Sequence, residues 1–381
     1  MKFVPTDELK PKMRLARPIF NKKGVMLYDR DSKLTKQGIE SIKNFKLIGI
    51  YILEPAEPLP PMTEEDREFE RFQTMSVFTL QEIMQEIRDG QSPKHLEQLT
   101  MEIQRQFGRG NGKFTFMQNL RSPEDNVYKH SLNTAILAAA IFGKLTDNRS
   151  GQRNAVIAAL LHDIGSLDIP DAITHKKTEE LTEEDYEAID HYREEGYRMI
   201  RENCDLDSEI MKDISYLLRA LKEIRTNSYN PGKTVDFQVE TLKVAYYFDK
   251  MTAMKFGEEP QSDIAAYKYL HHPAHHMNQQ VVAALTQAIH IVPVGCTVEF
   301  TNKRKGIVLT ENVDDILRPF VLSFHDNRMY NLSDGKVFQE MQIKDVVKTM
   351  DNRYVMTDLY KDYQAALERG EVPAIRIPKK N

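Results

Sequence analysis

The spacing of apolar residues divides the chain into a helical centre and flanking segments with short strands. Between residues 120 and 290 apolar residues recur at helical intervals, as in the runs Ile136 to Ile141 and Gln152 to Leu161. Apolar positions three and four residues apart share one face of a helix, and that face can be buried against neighbours. The pattern therefore predicts a mainly α centre of packed helices.

The first 56 residues have another pattern, with short β-branched and apolar runs. Leu15 to Phe20, Val25 to Tyr28 and Ile48 to Leu53 are predicted strands, and Lys33 to Phe45 is a predicted helix. Four prolines between Pro55 and Pro61 then predict a linker, because proline cannot continue a helix or a central strand. Residues 1–56 are expected to form a small α+β module.

Two connecting helices are predicted between this module and the centre. Thr63 followed by three acidic residues is typical of a helix start, and Ser92-Pro93 begins the second helix. Their apolar stripes have two possible roles. They cover the neighbouring domain, or they contact a protein partner or a second copy of the chain.

The pattern beyond residue 290 returns to short strands. A small antiparallel β appendage is predicted from Val294 to Thr301, Gly306 to Leu309, Pro319 to Phe324 and Met329 to Leu332. The basic turn Asn302 to Lys305 is either a solvated hairpin tip or a phosphate or nucleic-acid contact. The segment 351–381 predicts a helix through Leu359 and Leu367, followed by a tail.

Composition argues against several classes of protein. The net charge of -5 gives no support for a nucleic-acid partner. Cys204 and Cys296 lie far apart in sequence, which favours a reducing compartment over a disulfide framework. No apolar run approaches the roughly 18 residues that a membrane span needs, and the segment Met1 to Thr6 leads into charged residues rather than a signal peptide. We therefore expect a cytoplasmic protein without a membrane partner.

Candidate chemistry centres on the adjacent residues His162 and Asp163. An imidazole and a carboxylate side by side can bind one metal ion or bridge two. A divalent ion lowers the pKa of bound water and neutralises phosphate oxygens, which suits phosphoester hydrolysis. An isolated His-Asp pair is also common as a purely structural feature. His130 lies on an upstream predicted helix and His191 on a downstream one.

The residues around this pair resemble the HD-GYP family of HD-domain phosphohydrolases, which is associated with cyclic di-GMP hydrolysis. The resemblance covers most of the chain, and its motifs are Tyr128 to Ser131, Leu161 to Gly165, Ile169-Pro170 and Leu181 to Glu184. It implies an HD-type helical bundle flanked by the small N-terminal module and the β appendage. The implied segments are the module at 1–56, linker and connecting helices at 57–118, the helical domain at 119–290, the appendage at 291–350, and a helix and tail at 351–381.

Four departures from the family pattern concern groups that the resemblance makes catalytic. Ser166 stands where a phosphate-contacting lysine is expected, and a hydroxyl cannot supply that charge. Tyr192 takes the position of a histidine ligand, unless a local one-residue shift brings His191 there. The other departures are Ala220 and Leu221 near the expected paired histidines, and Tyr246 at an expected metal-binding aspartate.

The surviving candidates define a reduced site. The resemblance implies His130, His162, Asp163 and His191 as candidate metal ligands, and Tyr229 and Asp249 as ligand-binding residues. Three protein ligands and water can hold one divalent ion, iron or manganese, but do not support a bridged two-metal centre. A site without any ion is equally open.

The sequence therefore predicts a degenerate HD-GYP-like protein, a non-catalytic module for cyclic-dinucleotide signalling, sensing or protein interaction. The alternative is a metal-dependent phosphohydrolase of the cyclic di-GMP phosphodiesterase type with a reduced metal site. A structural interaction protein that needs neither metal nor nucleotide is a third possibility. Expected partners are a cyclic dinucleotide and a protein or second copy bound through the connecting helices.

A second histidine cluster, His271 to His276, lies outside these motifs. Pro273 indicates that a helix begins there rather than continuing through it. The cluster is either an exposed polar loop or an adventitious or regulatory metal site.

Overall fold

A computed structural model describes residues 2–44, 49–53, 62–110, 112–118, 120–121, 124–228, 236–255, 260–351 and 369. These residues divide into two compact units. The first takes in those within 1–59, 63–261 and 269–288, and the second those within 60–62, 262–268 and 289–381. The finer five-segment division remains a prediction. The proline cluster, Tyr229 and the helix through Leu359 lie outside the described residues.

Helices dominate the described part of the chain. In order, the α-helices are α1 (Lys36–Asn44), α2 (Glu64–Arg88), α3 (Leu96–Phe107), α4 (Asn126–Leu145), α5 (Arg149–Leu161), α6 (Asp171–Thr174), α7 (Glu183–Asn203), α8 (Ser208–Arg225), α9 (Phe237–Thr252), α10 (Asp263–His271), α11 (Gln279–Ala288) and α12 (Gly335–Glu340). Short 3-10 helices are formed by Thr6–Glu8, Ile164–Asp168, Thr178–Glu180 and Pro273–His275. No helix among the described residues has both the length and the apolar character needed to cross a membrane.

Short strands lie mainly at the two ends of the chain. They are β1 (Lys2–Pro5), β2 (Arg14–Leu15), β3 (Ile19–Phe20), β4 (Met26–Tyr28), β5 (Gly49–Leu53), β6 (Leu120–Arg121), β7 (Met254–Lys255), β8 (Cys296–Phe300), β9 (Lys305–Thr310), β10 (Phe320–Ser323), β11 (Met329–Asn331) and β12 (Ile343–Asp351).

The N-terminal module is a small antiparallel sheet with one helix, as predicted. Its sheet has the order β1-β5-β2, with Lys2 opposite Ile52, and β3 pairs with β4 as a hairpin. Leu15, Ile42 and Ile52 are among the residues that form its buried core. Strand β1 was not predicted from the sequence, because its four residues include a lysine and a proline and give little alternation.

The centre of the first unit is a helical bundle around α4. Its residues from His130 to Phe142 are all buried, and α4 packs against α5, α9 and α11. The run Ala138 to Ala140 presents only methyl groups, so neighbouring helices can approach closely. Gln152 of α5 ties the bundle together, since its amide donates to the carbonyl of Ala139 at 2.9 Å. The predicted helical centre is confirmed.

A short parallel bridge fixes the segment that enters α4. Strand β6 pairs with β7, directly after α9, with Arg121 opposite Lys255. This pairing holds Arg121 beside the last turns of α9. The sequence gives no sign of it, because each strand has only two residues.

The second unit contains the predicted antiparallel appendage. Its five strands have the order β11-β10-β9-β8-β12, and neighbouring strands are antiparallel. Ile307, Leu309, Phe320 and Leu322 form its buried cluster. The fold is thus mainly α with small sheets at both ends, as the sequence predicts.

Candidate functional site

The bundle brings His130, His162 and Asp163 together. His130 lies on α4, whereas His162 and Asp163 follow the last residue of α5, and α4 and α5 pack side by side. One ligand atom from each side chain lies within 4.8 Å of the others, and all three residues are buried. These two histidines and one aspartate have the spacing of a metal site, and the structure describes no other such group of histidine, cysteine, aspartate or glutamate side chains in the residues it covers.

Asp249 and Arg121 hold the ring of His130. The Nδ1 atom of His130 donates to Asp249 Oδ2 at 2.6 Å, and Arg121 Nη2 lies 2.5 Å from the other oxygen of the same carboxylate. Burial opposes ionisation of this carboxyl group, but the charge of Arg121 and the His130 hydrogen bond outweigh it and hold the pKa of Asp249 well below its usual value. A proton on Nδ1 leaves the lone pair of a neutral ring on Nε2.

His162 is held in the same tautomer by the backbone. Its Nδ1 donates to the carbonyl of Ala159 at 2.8 Å. Burial lowers the pKa of His162 to about 4, so the ring is neutral at neutral pH. The Nε2 atoms of both His130 and His162 are buried without a hydrogen-bond partner among the described residues.

These observations fit one divalent ion. Metal-ligating histidines commonly donate their other ring N–H to a carboxylate or a backbone carbonyl, as both rings do here. His130 and His162 would supply Nε2, and Asp163 would supply a carboxylate oxygen. The metal itself, iron or manganese, stays a prediction.

Two glycines bring α7 against this cluster. A Cβ on Gly165 would overlap the carbonyl oxygen of Tyr192, and a Cβ on Gly196 would overlap the backbone of Gly165. The backbones of the 3-10 turn and of α7 therefore touch. The glycine of the His-Asp motif thus sets the distance between the site and α7.

Arg193 of α7 reaches into the site. Its Nε donates to Asp163 Oδ1 at 2.8 Å, and its Nη2 donates to the hydroxyl of Tyr246 at 3.1 Å. The Arg193 and Asp163 side chains are 17% and 5% exposed, so this ion pair is largely withdrawn from water. Burial would raise the pKa of the Asp163 carboxyl, but the nearby charge of Arg193 outweighs it and lowers that pKa well below its usual value.

Tyr246 closes the cluster from α9. Its ring stands edge-on to His130, with centroids 4.7 Å apart, and to His162 at 5.7 Å. Burial alone would raise the pKa of its phenol, yet the charges of Arg193 and Lys250 bring the pKa below its usual value. Tyr246 therefore fills space at the position where the resemblance implied an aspartate ligand.

The other departures from the family pattern also have defined places. Ser166 donates from Oγ to Asp163 Oδ1 at 2.6 Å, on the same oxygen as Arg193. Ala220 and Leu221 are buried on α8 and offer no ligand atoms. These three residues pack and orient the site where charged or ligating groups were expected.

The structure does not bring His191 to the cluster. Helix α7 is continuous from Glu183 to Asn203, without the one-residue shift that would turn His191 inward. One residue is about 100° around a helix. The imidazole is 63% exposed, and its Nε2 lies 3.9 Å from Glu195 Oε1. The candidate ligand set among described residues is therefore the three-residue cluster.

The two predicted ligand-binding residues fare differently. Asp249 is fully buried behind His130, where it accepts from Arg121 and from Gln118 Nε2 at 3.0 Å. This placement makes it a residue that orients His130, and contact with a ligand remains a prediction. Tyr229 lies outside the described residues.

A cavity of about 1050 Å³ opens over the cluster, all within the first unit. Six lysine and arginine side chains and the carboxylates Glu124, Asp163 and Asp190 line it, and four of the six cations form ion pairs with carboxylates. The cations are Arg121, Lys176, Lys177, Arg193, Arg225 and Lys250. Four tyrosines also line it, namely Tyr186, Tyr246, Tyr247 and Tyr269. Cations with aromatic rings suit a ligand that carries phosphates and bases.

Neither Arg193 nor Arg121 was predicted as a site residue. Arg193 follows Tyr192, but one residue is about 100° around a helix, so helical spacing did not place it at the ligand position. Arg121 gave no signal, because its position depends on the β6–β7 bridge.

The second histidine cluster does not lie on a single helix. His271 ends α10, and His276 has a left-handed backbone with φ of 53°. His272 Nδ1 accepts from the amide of Ala274 at 3.2 Å, and His275 stacks on Tyr269 with centroids 3.6 Å apart. His275 and His276 border the cavity instead.

This chain is similar to known proteins with an HD domain. An HD-domain family model matches residues 115–281. The cyclic di-GMP phosphodiesterase PA4108 of Pseudomonas aeruginosa is 25% identical over 283 residues, which are 72% of this chain and 67% of the relative. Bd1817, described as a HDG"Y"P protein from Bdellovibrio bacteriovorus, matches with a TM-score of 0.44 at 13% identity, over 74% of this chain and 97% of that structure. The resemblance predicted from the motifs is confirmed: residues 115–281 match the HD-domain family, and the chain is similar to a cyclic di-GMP phosphodiesterase over 72% of its length.

Proposed function

We propose that this protein binds a cyclic dinucleotide without hydrolysing it and acts as a sensor or signalling module. The observation that carries the proposal is the buried ion pair between Arg193 and Asp163 at the floor of the cavity. It places a fixed protein cation on the carboxylate of the His-Asp motif, which a bound metal ion would also need.

The shape and lining of the cavity support a dinucleotide ligand. Its volume of about 1050 Å³ is at the upper end of the usual range for small-molecule sites. Lys250 and Tyr246 lie together on its wall, with the ammonium 5.8 Å from the ring centroid. A relative at 25% identity is named a cyclic di-GMP phosphodiesterase, which makes cyclic di-GMP the first ligand to test.

The residues at positions that differ from the HD-GYP pattern support a protein that does not hydrolyse its ligand. Tyr246, Ala220 and Leu221 provide no metal-binding atom of the expected kind, and Ser166 provides no cation. A phosphodiester displacement by a two-metal site depends on charges at both the attacking and the leaving oxygen. The described cluster has ligands for one ion.

The second candidate function is a metal-dependent phosphohydrolase with a reduced site. It is favoured by the Nε2 atoms of His130 and His162, which lie beside Asp163 and have no hydrogen-bond partner among the described residues. A divalent ion held there would supply a water of lowered pKa. His130, His162 and Asp163 would hold that ion, and Asp249 would keep His130 oriented.

Titration calorimetry with cyclic di-GMP tests the first function, and chromatography of the same mixture with manganese or ferrous iron tests the second. Binding of intact nucleotide supports a sensor, whereas linear product that disappears in His162→Ala supports the hydrolase. If the protein neither binds cyclic di-GMP nor releases product, the alternative of a structural interaction protein remains.

Two further expectations belong to this proposal. A cytoplasmic location is consistent with two cysteines that are far apart in sequence and form no disulfide. A protein partner or second copy would bind through the connecting helices α2 and α3. Sedimentation of the purified chain tests the second copy.

A further inference from the structure

Arg193 places a positive charge on the carboxylate that the candidate metal site needs. Its Nε donates to Asp163 Oδ1 at 2.8 Å, and Ser166 Oγ donates to the same oxygen at 2.6 Å. The pair is largely buried, so water screens it weakly. An ion bound by His130, His162 and Asp163 would share this carboxylate with the guanidinium.

The position of this guanidinium is fixed by several contacts. Gly165 and Gly196 hold α7 against the His-Asp turn, as described above. Tyr246 accepts a hydrogen bond from Nη2, and its ring lies 5.9 Å from the guanidinium carbon. These constraints make Arg193 a built part of the site rather than a mobile surface side chain.

We propose that Arg193 is the resident cation of this site, which neutralises Asp163, weakens divalent metal binding there, and offers its remaining N–H donors to a phosphate group of the ligand. Guanidinium and metal ion carry like charge and compete for one carboxylate. Arginine has N–H donors beyond the two used by Asp163 and Tyr246, and Arg193 lines the cavity. Planar paired donors suit phosphate oxygens.

The metal part of this proposal does not depend on the nucleotide. The purified protein is stripped of metal and titrated with Mn²⁺ alone by calorimetry, as wild type and as Arg193→Met. The methionine removes the charge and keeps an apolar stem. We expect Arg193→Met to bind Mn²⁺ at least tenfold more tightly, and adding His162→Ala to abolish the gain. Equal or weaker Mn²⁺ binding by Arg193→Met would overturn the proposal.

The matched control is Arg198→Met on the same helix, because Arg198 is exposed and pairs with Glu195. It should bind Mn²⁺ as wild type does. Since Arg193→Met leaves Asp163 buried without its partner and could unfold the site, Arg193→Gln is measured in parallel. Glutamine keeps amide donors without charge. Cooperative unfolding shows which of the two variants is folded. A folded variant should bind Mn²⁺ more tightly than wild type, and no gain in affinity in a folded variant counts against the proposal.

The phosphate part rests on the proposed function and is tested separately. Cyclic di-GMP is titrated into metal-free wild type, Arg193→Gln and Arg198→Met. We expect at least a tenfold loss of affinity in Arg193→Gln alone, and unchanged affinity there would overturn the phosphate contact. If wild type itself does not bind cyclic di-GMP, the proposed function fails, while the Mn²⁺ titration still decides the role of Arg193.

Discussion

The Nδ1 atom of His130 lies 2.6 Å from Asp249 Oδ2, and the other oxygen of this carboxylate faces buried Arg121 at 2.5 Å. One fully buried aspartate thus orients a candidate metal ligand and balances a buried guanidinium. Breaking such a buried pair leaves an unpaired charge in the core, which costs more than the pair contributes to stability.

We therefore predict that Asp249→Ala lowers the free energy of unfolding by about 3–5 kcal/mol, because Arg121 remains buried without a counter-charge. Asp249→Asn should cost less, since it keeps a hydrogen-bond acceptor. Urea denaturation measures both. Glu299→Ala is the control, because Glu299 pairs with Lys344 at 2.9 Å on the surface. Its effect should stay within about 1 kcal/mol. Equal losses in Asp249→Ala and Glu299→Ala would contradict the assignment.

The contact between Gly165 and α7 gives a second prediction. A methyl group on Gly165 would overlap the backbone of Tyr192, which cannot move without shifting α7. We expect Gly165→Ala to destabilise the protein by about 2 kcal/mol or more, an upper-range cost for overpacking. In Gly335→Ala the new methyl group meets open space, so its stability should change by less than about 0.5 kcal/mol. Thermal unfolding of the two variants distinguishes them, and a neutral Gly165→Ala would show that the two backbones are further apart.

The buried carboxyl group of Asp213 predicts how stability varies with pH. Burial, and then the charges of Asp236 and Glu209, raise the pKa of Asp213 from 3.8 to about 7. Its Oδ2 is buried without a hydrogen-bond partner in the described part of the chain. The folded protein therefore holds a proton between pH 4 and 7 that the unfolded chain has released, and this contribution to stability falls as pH rises.

Asp213→Asn removes this titration. We predict that the variant is more stable than wild type at pH 8 by about 1–2 kcal/mol, a value reduced for partial solvation. At pH 4 the two proteins should be similar, because the Asp213 carboxyl is largely protonated in the folded protein. Urea denaturation at both pH values gives the comparison. A difference that stays constant between pH 4 and 8 would rule out titration of Asp213 as its cause.

The helical centre could be predicted from sequence because its signals are local. The apolar runs of α4 and α5 have helical spacing over several turns, and the strands of the appendage alternate or are continuously apolar. The meeting of His130 with His162 and Asp163 followed from the family motifs. Three of the four candidate metal ligands do lie together.

The remaining features of the site depend on contacts between distant segments. Arg121 lies beside Asp249 because two strands of two residues each, β6 and β7, pair with one another. Strands that short have no recognisable sequence pattern. Arg193 enters because Gly165 and Gly196 allow two backbones to touch, which spacing along one helix does not reveal. His191 stays outside the cluster because α7 is continuous from Glu183 to Asn203. The sequence alone does not tell whether the helix contains the one-residue shift that would turn His191 inward.

The most direct test of binding without hydrolysis is one measurement on wild-type protein with cyclic di-GMP and manganese. Calorimetry records binding, and chromatography of the same sample records the nucleotide after prolonged incubation. We predict saturable binding with all nucleotide recovered intact. Conversion to the linear dinucleotide that is lost in His162→Ala would contradict it.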